Sequence, residues 1–368
     1  MIEGPALQNL TASIAELCRS GSDAEELRAR VLPRLRQAVP IDALWWATVD
    51  PATLLFTSAY REEIPEETGP FFVENEFLDD DQNKWTDLAR DPRGVRTLLE
   101  ATDGDLHRSP RHNDIFEPLG LQDELRAVLR AQGTAWGYLC LHRDGQSGFS
   151  REEVEFVKQI APHLAEGIRL GLLMNGADQE AAPDAPGLVV LALDGSVVSA
   201  NAASEQWVAE LSEPSPGALL PIEVYAIAAQ LRRLDSTDRP SPRLRVRTRA
   251  GRWAILHGSW LSAEDHATVA VIIERATPIE VAPLLMAACG LTKQQRAVTG
   301  LVCQGLSTKE IATHLHVVEA TVQDHLKAVF EKTGARSRRE LVATILKQDY
   351  LPRARAKQPL ASSGFFAA

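Results

Sequence analysis

Several protein classes are excluded by what the chain lacks. Its four cysteines, Cys18, Cys140, Cys289 and Cys303, lie far apart with no C-x-x-C. That leaves no disulfide framework or cysteine-rich zinc module and suits a reducing cytosol. No apolar run is long enough to cross a bilayer as a helix, so no membrane partner is expected. The opening Met1-Ile2-Glu3-Gly4-Pro5 has neither a basic n-region nor an apolar h-region, which argues against secretion and for a cytoplasmic protein. A Walker loop, G-x-S-x-G, H-E-x-x-H and a glycine-rich strand-turn-helix are all missing, and no nucleophile–base pair stands out. The expectation is a protein that is not an enzyme and carries no cofactor.

What is present is an ordinary globular balance over 368 residues, with 45% hydrophobic and 24% charged residues, enough for two or three domains. The net charge of -11 argues at first against a polyanionic partner, but its distribution reverses that. From Leu291 to Ala368 there are 12 Lys+Arg against 6 Asp+Glu, a local charge of +6, so the preceding residues carry -17. Asymmetry of this kind suggests a basic module attached to an acidic body, and the basic end is where a polyanion partner is expected.

Three blocks follow one another. The first opens with two helical patterns, Leu7, Leu10, Ile14 and Leu17, then Leu27, Val31, Leu32 and Leu35 after an Asp23 cap. A hairpin is expected from Ala43–Val49 and Thr53–Tyr60 around Asp50-Pro51, then a polar middle, a strand at Trp136–His142, and a closing helix with Phe156, Ile160, Leu164 and Ile168. This succession resembles a GAF domain over 5–173. After a Pro/Gly-rich stretch from Asn175 to Gly187, the second block has a strand at Gly187–Leu193, an Asp194-Gly195 turn, a second strand, and a helix capped by Asn201. Strands at Arg243–Arg249, Trp253–Leu261 and Thr268–Ile273 complete it, and the order resembles a PAS domain over 184–276. The residues 352–368 form an expected frayed tail.

Within these blocks the alternating Arg243, Arg245, Arg247 and Arg249 line one strand face. They offer either an anion-binding surface or, as the plainer reading, a solvent face or pairing with the acidic first block. Trp45, Trp46, Trp136 and Trp253 are candidates for a ligand pocket or for core. His107, His112 and His142 have no carboxylate or cysteine partner at ligand spacing in the sequence, so no metal is expected, and Cys140 reads as a small buried hydrophobe.

The third block carries the function. Thr292-x-x-Gln295, Ser307-x-x-Glu310 and Ser337-x-x-Glu340 are three capping-box signatures, each expected to pair the cap hydroxyl with the N3 amide and the N3 side chain with the cap amide. A further helix is expected from Glu319 to Thr333, ended by Gly334. Only His316-Val317-Val318 separates it from the helix before, a helix-turn-helix spacing that offers the second helix to a major groove. At 100° per residue, Val322, Leu326, Val329 and Phe330 face the core, while Asp324, Lys327, Ala328 and Glu331 lie opposite, with Gln323 and Thr321 at the edges. Gln suits adenine, Asp suits cytosine N4, and Lys suits guanine or a phosphate.

These residues also carry a family resemblance. Leu291-Thr292, Gly305-Leu306-Ser307-Thr308-Lys309-Glu310-Ile311-Ala312, Thr321-Val322-x-x-His325-Leu326-Lys327 and Lys332-x-Gly334-x-x-Ser337-Arg338-x-Glu340-Leu341 resemble a LuxR-type helix-turn-helix over 288–351. The resemblance implies that the third helix reads DNA and the fourth pairs a homodimer. Three positions depart from the family pattern: Gln295 replaces an acidic residue, Val318 a Ser cap, and Gln323 a commonly basic reading position. The last puts the base preference in question.

The whole is expected to be an α+β multidomain chain, with GAF-like and PAS-like antiparallel-sheet sensor domains followed by an all-α four-helix reader. Its candidate DNA-binding residues are Thr308, Lys309, Thr321, Gln323, Asp324, Lys327 and Ala328. Leu341 and Ile345 point into the module, and Val342, Leu346 and Tyr350 form a second apolar stripe assigned to the dimer interface. The expected partners are an inverted-repeat operator in double-stranded DNA, a second copy of the chain, and a small-molecule ligand in the sensor domains. The alternative is a signalling scaffold whose DNA module is degenerate, or a helical interaction domain with a merely solvated polar face.

Overall fold

Alternation of side chains sets the first sheet. In the computed structural model, residues 4–145, 148–174, 183, 185–211, 220–234, 241–263 and 266–345 are described. Two amphipathic helices, α1 (Gly4–Cys18) and α2 (Ala24–Ala38), come first, and Asp23 caps α2 by accepting the Glu26 amide at 2.8 Å. Strands β1 (Ala43–Val49) and β2 (Phe56–Glu62) form the expected hairpin, with the second strand starting later than Thr53 because Asp50 ties down the turn. The polar middle contains short elements: α3 (Thr68–Phe77), α4 (Trp85–Leu88), β3 (Val95–Thr97), α5 (Leu98–Ala101) and a π turn at His112–Phe116. Then come β4 (Asp123–Ala131), β5 (Thr134–Arg143) and the long α6 (Arg151–Met174). The sheet is fully antiparallel in the order β2-β1-β5-β4-β3.

Register decides what each face carries. Trp46, Leu139 and Ala127 share one row, and helices α1, α2 and α6 form the layer on that side. Trp45, Cys140 and Arg126 share the next row on the opposite face, toward the middle elements. Trp45, Phe56, Phe72, Phe77, Trp85 and Tyr138 fill this inner face with edge and stacked ring contacts between 4.4 and 6.4 Å.

The second sheet repeats the strand order: β7 (Val197–Ala200), β6 (Gly187–Leu191), β10 (His266–Arg275), β9 (Trp253–Ala263), β8 (Arg243–Arg247). Asn201 caps α7 (Ala202–Leu211) through the Ser204 amide at 2.9 Å, and its amide group also bonds Leu188 and Pro186. The strand expected over Arg243–Arg249 ends at Arg247. In this second block one helix has no counterpart in the sequence reading, α8 (Ile222–Arg233), as α3, α4 and α5 had none in the first. Its buried residues run around most of its circumference, so it shows no clean amphipathic stripe. It is enclosed because it packs on α3 and β2 on one side and on β8, β9 and β10 on the other.

The arginine stripe of β8 therefore does not form a free anion surface. Asp50, 1% exposed, accepts Arg245 at Oδ2 from its backbone N–H and Nε (3.2 and 2.8 Å) and at Oδ1 from Nη2 (2.6 Å). Arg247 donates to the Gly171 and Gly251 carbonyls. A hydrophobic cluster runs without a break from the first sheet into the second, and both belong to one compact unit, Met1–Asn175 with Ala185–Arg275.

A second compact unit holds α9 (Pro278–Ala288), α10 (Lys293–Cys303), α11 (Thr308–Leu315), α12 (Glu319–Thr333) and a further helical segment, α13, at 338–345. Among the described residues no helix is long and apolar enough to cross a membrane. The tail at 352–368 and most of the stretch from Asn175 to Gly187 lie outside the described residues.

Candidate nucleic-acid interface and the buried sensor cluster

Side chains fix each helix start in the basic unit. Thr292 Oγ1 accepts the Gln295 amide at 3.3 Å while Gln295 Oε1 accepts the Thr292 amide at 3.0 Å. Ser307 and Glu310 repeat this at 3.3 and 2.7 Å, and the Ser307 hydrogen bonds hold the Glu310 carboxyl below its ordinary range. The third box differs from its expected form. Ser337 accepts the Glu340 amide at 3.1 Å, but the Glu340 carboxylate takes the Arg336 amide, one residue before the cap. Gln295 has a further use: its Oε1 also accepts Lys332 Nζ at 2.9 Å, and the same ammonium reaches the Gly290 carbonyl.

The turn between α11 and α12 is made by His316, in the left-handed region at φ 55°, and by Val318, which caps α12 without a side-chain hydrogen bond. Gly334 ends α12 at φ 72°, where a side chain would add strain. Val322, Leu326 and Val329 are buried in the unit's core together with Val298, Ile311 and Leu341, and Phe330 packs at the core's margin. The opposite face of α12 presents Gln323, Asp324 and Lys327 to solvent, with Thr321 and Ala328 half-buried beside them. On the first turn of α11, Lys309 is exposed and Thr308 is half-buried.

Arg338 has no role in the sequence reading although it stands in the motif. Its guanidinium donates to the Leu306 carbonyl and to Thr308 Oγ1, both at 2.7 Å, so it fixes the start of α11 from α13. Thr308 is thus already engaged inside the unit. The stripe assigned to a second subunit is described only at Val342, which is half-buried against the unit's own core; Leu346 and Tyr350 lie outside the described residues.

In the first sheet the polar residues of β4 and β5 meet side chains from the middle elements. Arg111, 1% exposed, pairs with Asp81 (3.1 Å) and Glu124 (2.8 Å), and Arg126 pairs with Glu124 (2.9 Å) and Glu76 (2.8 Å). Burial alone would raise the Glu124 carboxyl, but the facing Arg111 and Arg126 outweigh it and hold the group well below the usual carboxylate range. Arg126 also lies over the Trp85 ring, 4.5 Å from its centroid. Cys140 and His142 belong to the same cluster. Desolvation pushes the thiol well up and lowers His142 to about 4, so the imidazole is neutral. This corrects two expectations: His142 does have a cysteine and a carboxylate beside it, and Cys140 is buried among polar groups rather than as a plain hydrophobe. Cys140 and His142 share a face of β5 as residues two apart, and Glu124 joins them only through the pairing of β4 with β5, which spacing along the chain does not display. His107 is exposed and pairs with Asn113, and neither it nor His112 joins this group. Of the four tryptophans proposed for a pocket, Trp45 lines a cleft with Phe72, Ile115, Phe116, Arg61 and Ile222 of α8; Trp46, Trp136 and Trp253 do not line it.

The geometry of the basic unit agrees with what the chain is similar to. Residues 290–345 match the family of bacterial regulatory proteins described as the luxR family, GerE. The spore germination protein GerE of Bacillus subtilis is 38% identical over 61 residues, 17% of this chain and 82% of that protein. The chain belongs to the LuxR family. In this LuxR-family protein the helix-turn-helix follows a GAF-like sensor region, since residues 25–168 match the GAF domain. Both are regulatory, non-catalytic modules. The protein is a DNA-binding transcriptional regulator, not an enzyme. Among solved structures, the GAF domain of a phosphoenolpyruvate-protein phosphotransferase from Coxiella burnetii is 19% identical, covers 44% of this chain and 92% of its own, and superposes with a TM-score of 0.32. Escherichia coli SdiA is 12% identical over 92% of this chain and 97% of its own, with a TM-score of 0.32.

Proposed function

We propose that this LuxR-family regulator reads an inverted-repeat operator as a homodimer, through the exposed face of α12 and the first turn of α11. The observation that carries this is the division of α12: Val322, Leu326 and Val329 are committed to the core, which leaves Gln323, Asp324 and Lys327 turned outward on a helix behind a short turn. Lys327 would serve guanine or a phosphate, Asp324 a cytosine N4, and Gln323 an adenine, with Thr321, Ala328, Lys309 and Thr308 at the margin of the contact. Val342, Leu346 and Tyr350 would join the two copies.

The second sheet reads as a PAS-like domain. Its strand order, its Asn201-capped helix and its late antiparallel strands support that reading. The cleft lined by Trp45, Phe72 and Phe116 is the place for a small, mostly apolar ligand, and Ile222 from α8 at its edge would pass occupancy to the second sheet. The test is selection of DNA by the purified full-length protein, followed by mobility shifts at matched salt. A single enriched inverted repeat, bound well above random DNA, is the expected result. Weak binding indifferent to sequence would favour the scaffold alternative.

A further inference from the structure

Glu124 on β4 stands directly opposite His142 on β5, and Cys140 lies two residues before His142 on the same face. Cys140 Sγ is 3.1 Å from Glu124 Oε1 and 3.2 Å from His142 Nε2, and one ligand atom from each residue falls within 4.8 Å of the other two. We propose that Glu124, Cys140 and His142 form a site for one divalent cation of the zinc class inside the sensor region.

Three observations carry this beyond the DNA-binding reading. The donor set is a thiolate, an imidazole and a carboxylate, the borderline mixture that zinc takes and that magnesium or calcium does not. With a Zn–S bond of about 2.3 Å and a Zn–N bond of about 2.0 Å, a tetrahedral S···N edge is about 3.5 Å. The observed separation needs only a few tenths of an ångström of opening.

Charge gives the second. The buried network holds three carboxylates, Glu76, Asp81 and Glu124, against two guanidiniums, Arg111 and Arg126, and is left with one net negative charge. A divalent cation that displaces the Cys140 proton adds two positive charges and one negative, and the whole cluster becomes neutral. The bond formed is sulfur to metal, the bond broken is S–H, and the proton leaves to solvent. The guanidiniums do not exclude the cation, because each is already paired with two carboxylates, and their bonds to Glu124 hold that side chain in place.

The imidazole gives the third. His142 Nδ1 is buried without a hydrogen-bond partner among the described residues, and Nε2 faces only the sulfur. With its proton on Nδ1, the ring aims the Nε2 lone pair at the proposed site. Phe116 lies against His142, with ring centroids 4.2 Å apart, and also lines the cleft beside Trp45, so movement of this one ring connects cluster and cleft.

The experiment uses the full-length, reduced, metal-stripped protein titrated with Co²⁺ as a spectroscopic probe and then with Zn²⁺. One equivalent of Co²⁺ should give a thiolate-to-cobalt charge-transfer band that Zn²⁺ abolishes. Cys140→Ser should remove the band, His142→Gln should weaken binding by about tenfold or more, and Cys303→Ser should change neither. A folded wild-type protein with no band would overturn the proposal, as would a band that survives in Cys140→Ser. If a buried variant fails to fold, X-ray absorption of the wild-type zinc protein decides alone. One sulfur with nitrogen and oxygen neighbours supports the site, and any other sulfur count overturns it.

Discussion

Glu223, in the first turn of α8, is 3% exposed, and burial raises its carboxyl from 4.5 to about 8. Below pH 4.5 folded and unfolded chains both hold the proton. Between there and about pH 8 the unfolded chain releases it while the folded chain keeps it, so stability falls with rising pH, by at most about 1.4 kcal/mol per unit. Glu223→Gln should flatten that slope and raise the thermal midpoint at pH 8 relative to pH 5. Asp123, raised by burial to about 6, keeps a smaller slope of the same sign. An unchanged difference between the two pH values would show that the carboxyl is already charged in the fold. At the reading surface, Lys327→Ala should cost about 1–3 kcal/mol of operator affinity at matched salt, while Asp324→Ala should relax preference at one base pair. Both residues are exposed and clear of the core, so circular dichroism should be unaltered. Wild-type operator binding by Lys327→Ala would mean α12 lies in the groove with another face.

Helix α12 begins on a residue whose side chain cannot accept an amide of the first turn. Val318 is 67% exposed, so replacing it loses little packing, and a serine there can accept an amide of the first turn. Val318→Ser should stabilise that turn by about 1 kcal/mol, seen as roughly fivefold slower amide exchange at Ala320 and Thr321. Exchange as fast as in the wild-type chain would show that the turn is held otherwise. The same element shows how legible this region was. Its apolar spacing, its three cap signatures and its Gly334 stop are local features, and the helix boundaries follow from them. The bonds of Arg338 to α11 and of Lys332 to α10 join residues 30 or more apart, and no periodicity encodes them.

At the scale of the molecule, the apolar junction between the two sheets holds a buried ion pair, Asp50 with Arg245. Removing the guanidinium leaves a buried carboxylate with two backbone amides, those of residues 52 and 245, and no opposite charge. Arg245→Ala should therefore cost about 3–5 kcal/mol. Asp50→Asn combined with Arg245→Met should cost much less, and urea denaturation of the four variants would measure the coupling. Additive effects would rule out the pair as a unit. Assembly offers a separate test. Val342→Asp with Leu346→Glu should turn a dimer into a monomer by sedimentation and abolish specific DNA binding with helicity retained. Loss of helicity would instead assign this stripe to the unit's own core, where Val342 already packs in part.

The sequence by itself determined the functional class, because a helix-turn-helix is built from contacts within a few residues: capping hydroxyls, a short turn and one apolar stripe. It also determined the sheet elements at Trp45, Cys140 and Val189, where a short run of apolar, aromatic and β-branched residues is a local feature. Only the tertiary structure decided that Arg245 pairs with Asp50, that α8 is buried between two sheets, and that Glu124 faces Cys140 and His142. Those depend on which strands lie side by side and in what register. Register is fixed by burying whole faces at once, not by any short stretch of the chain.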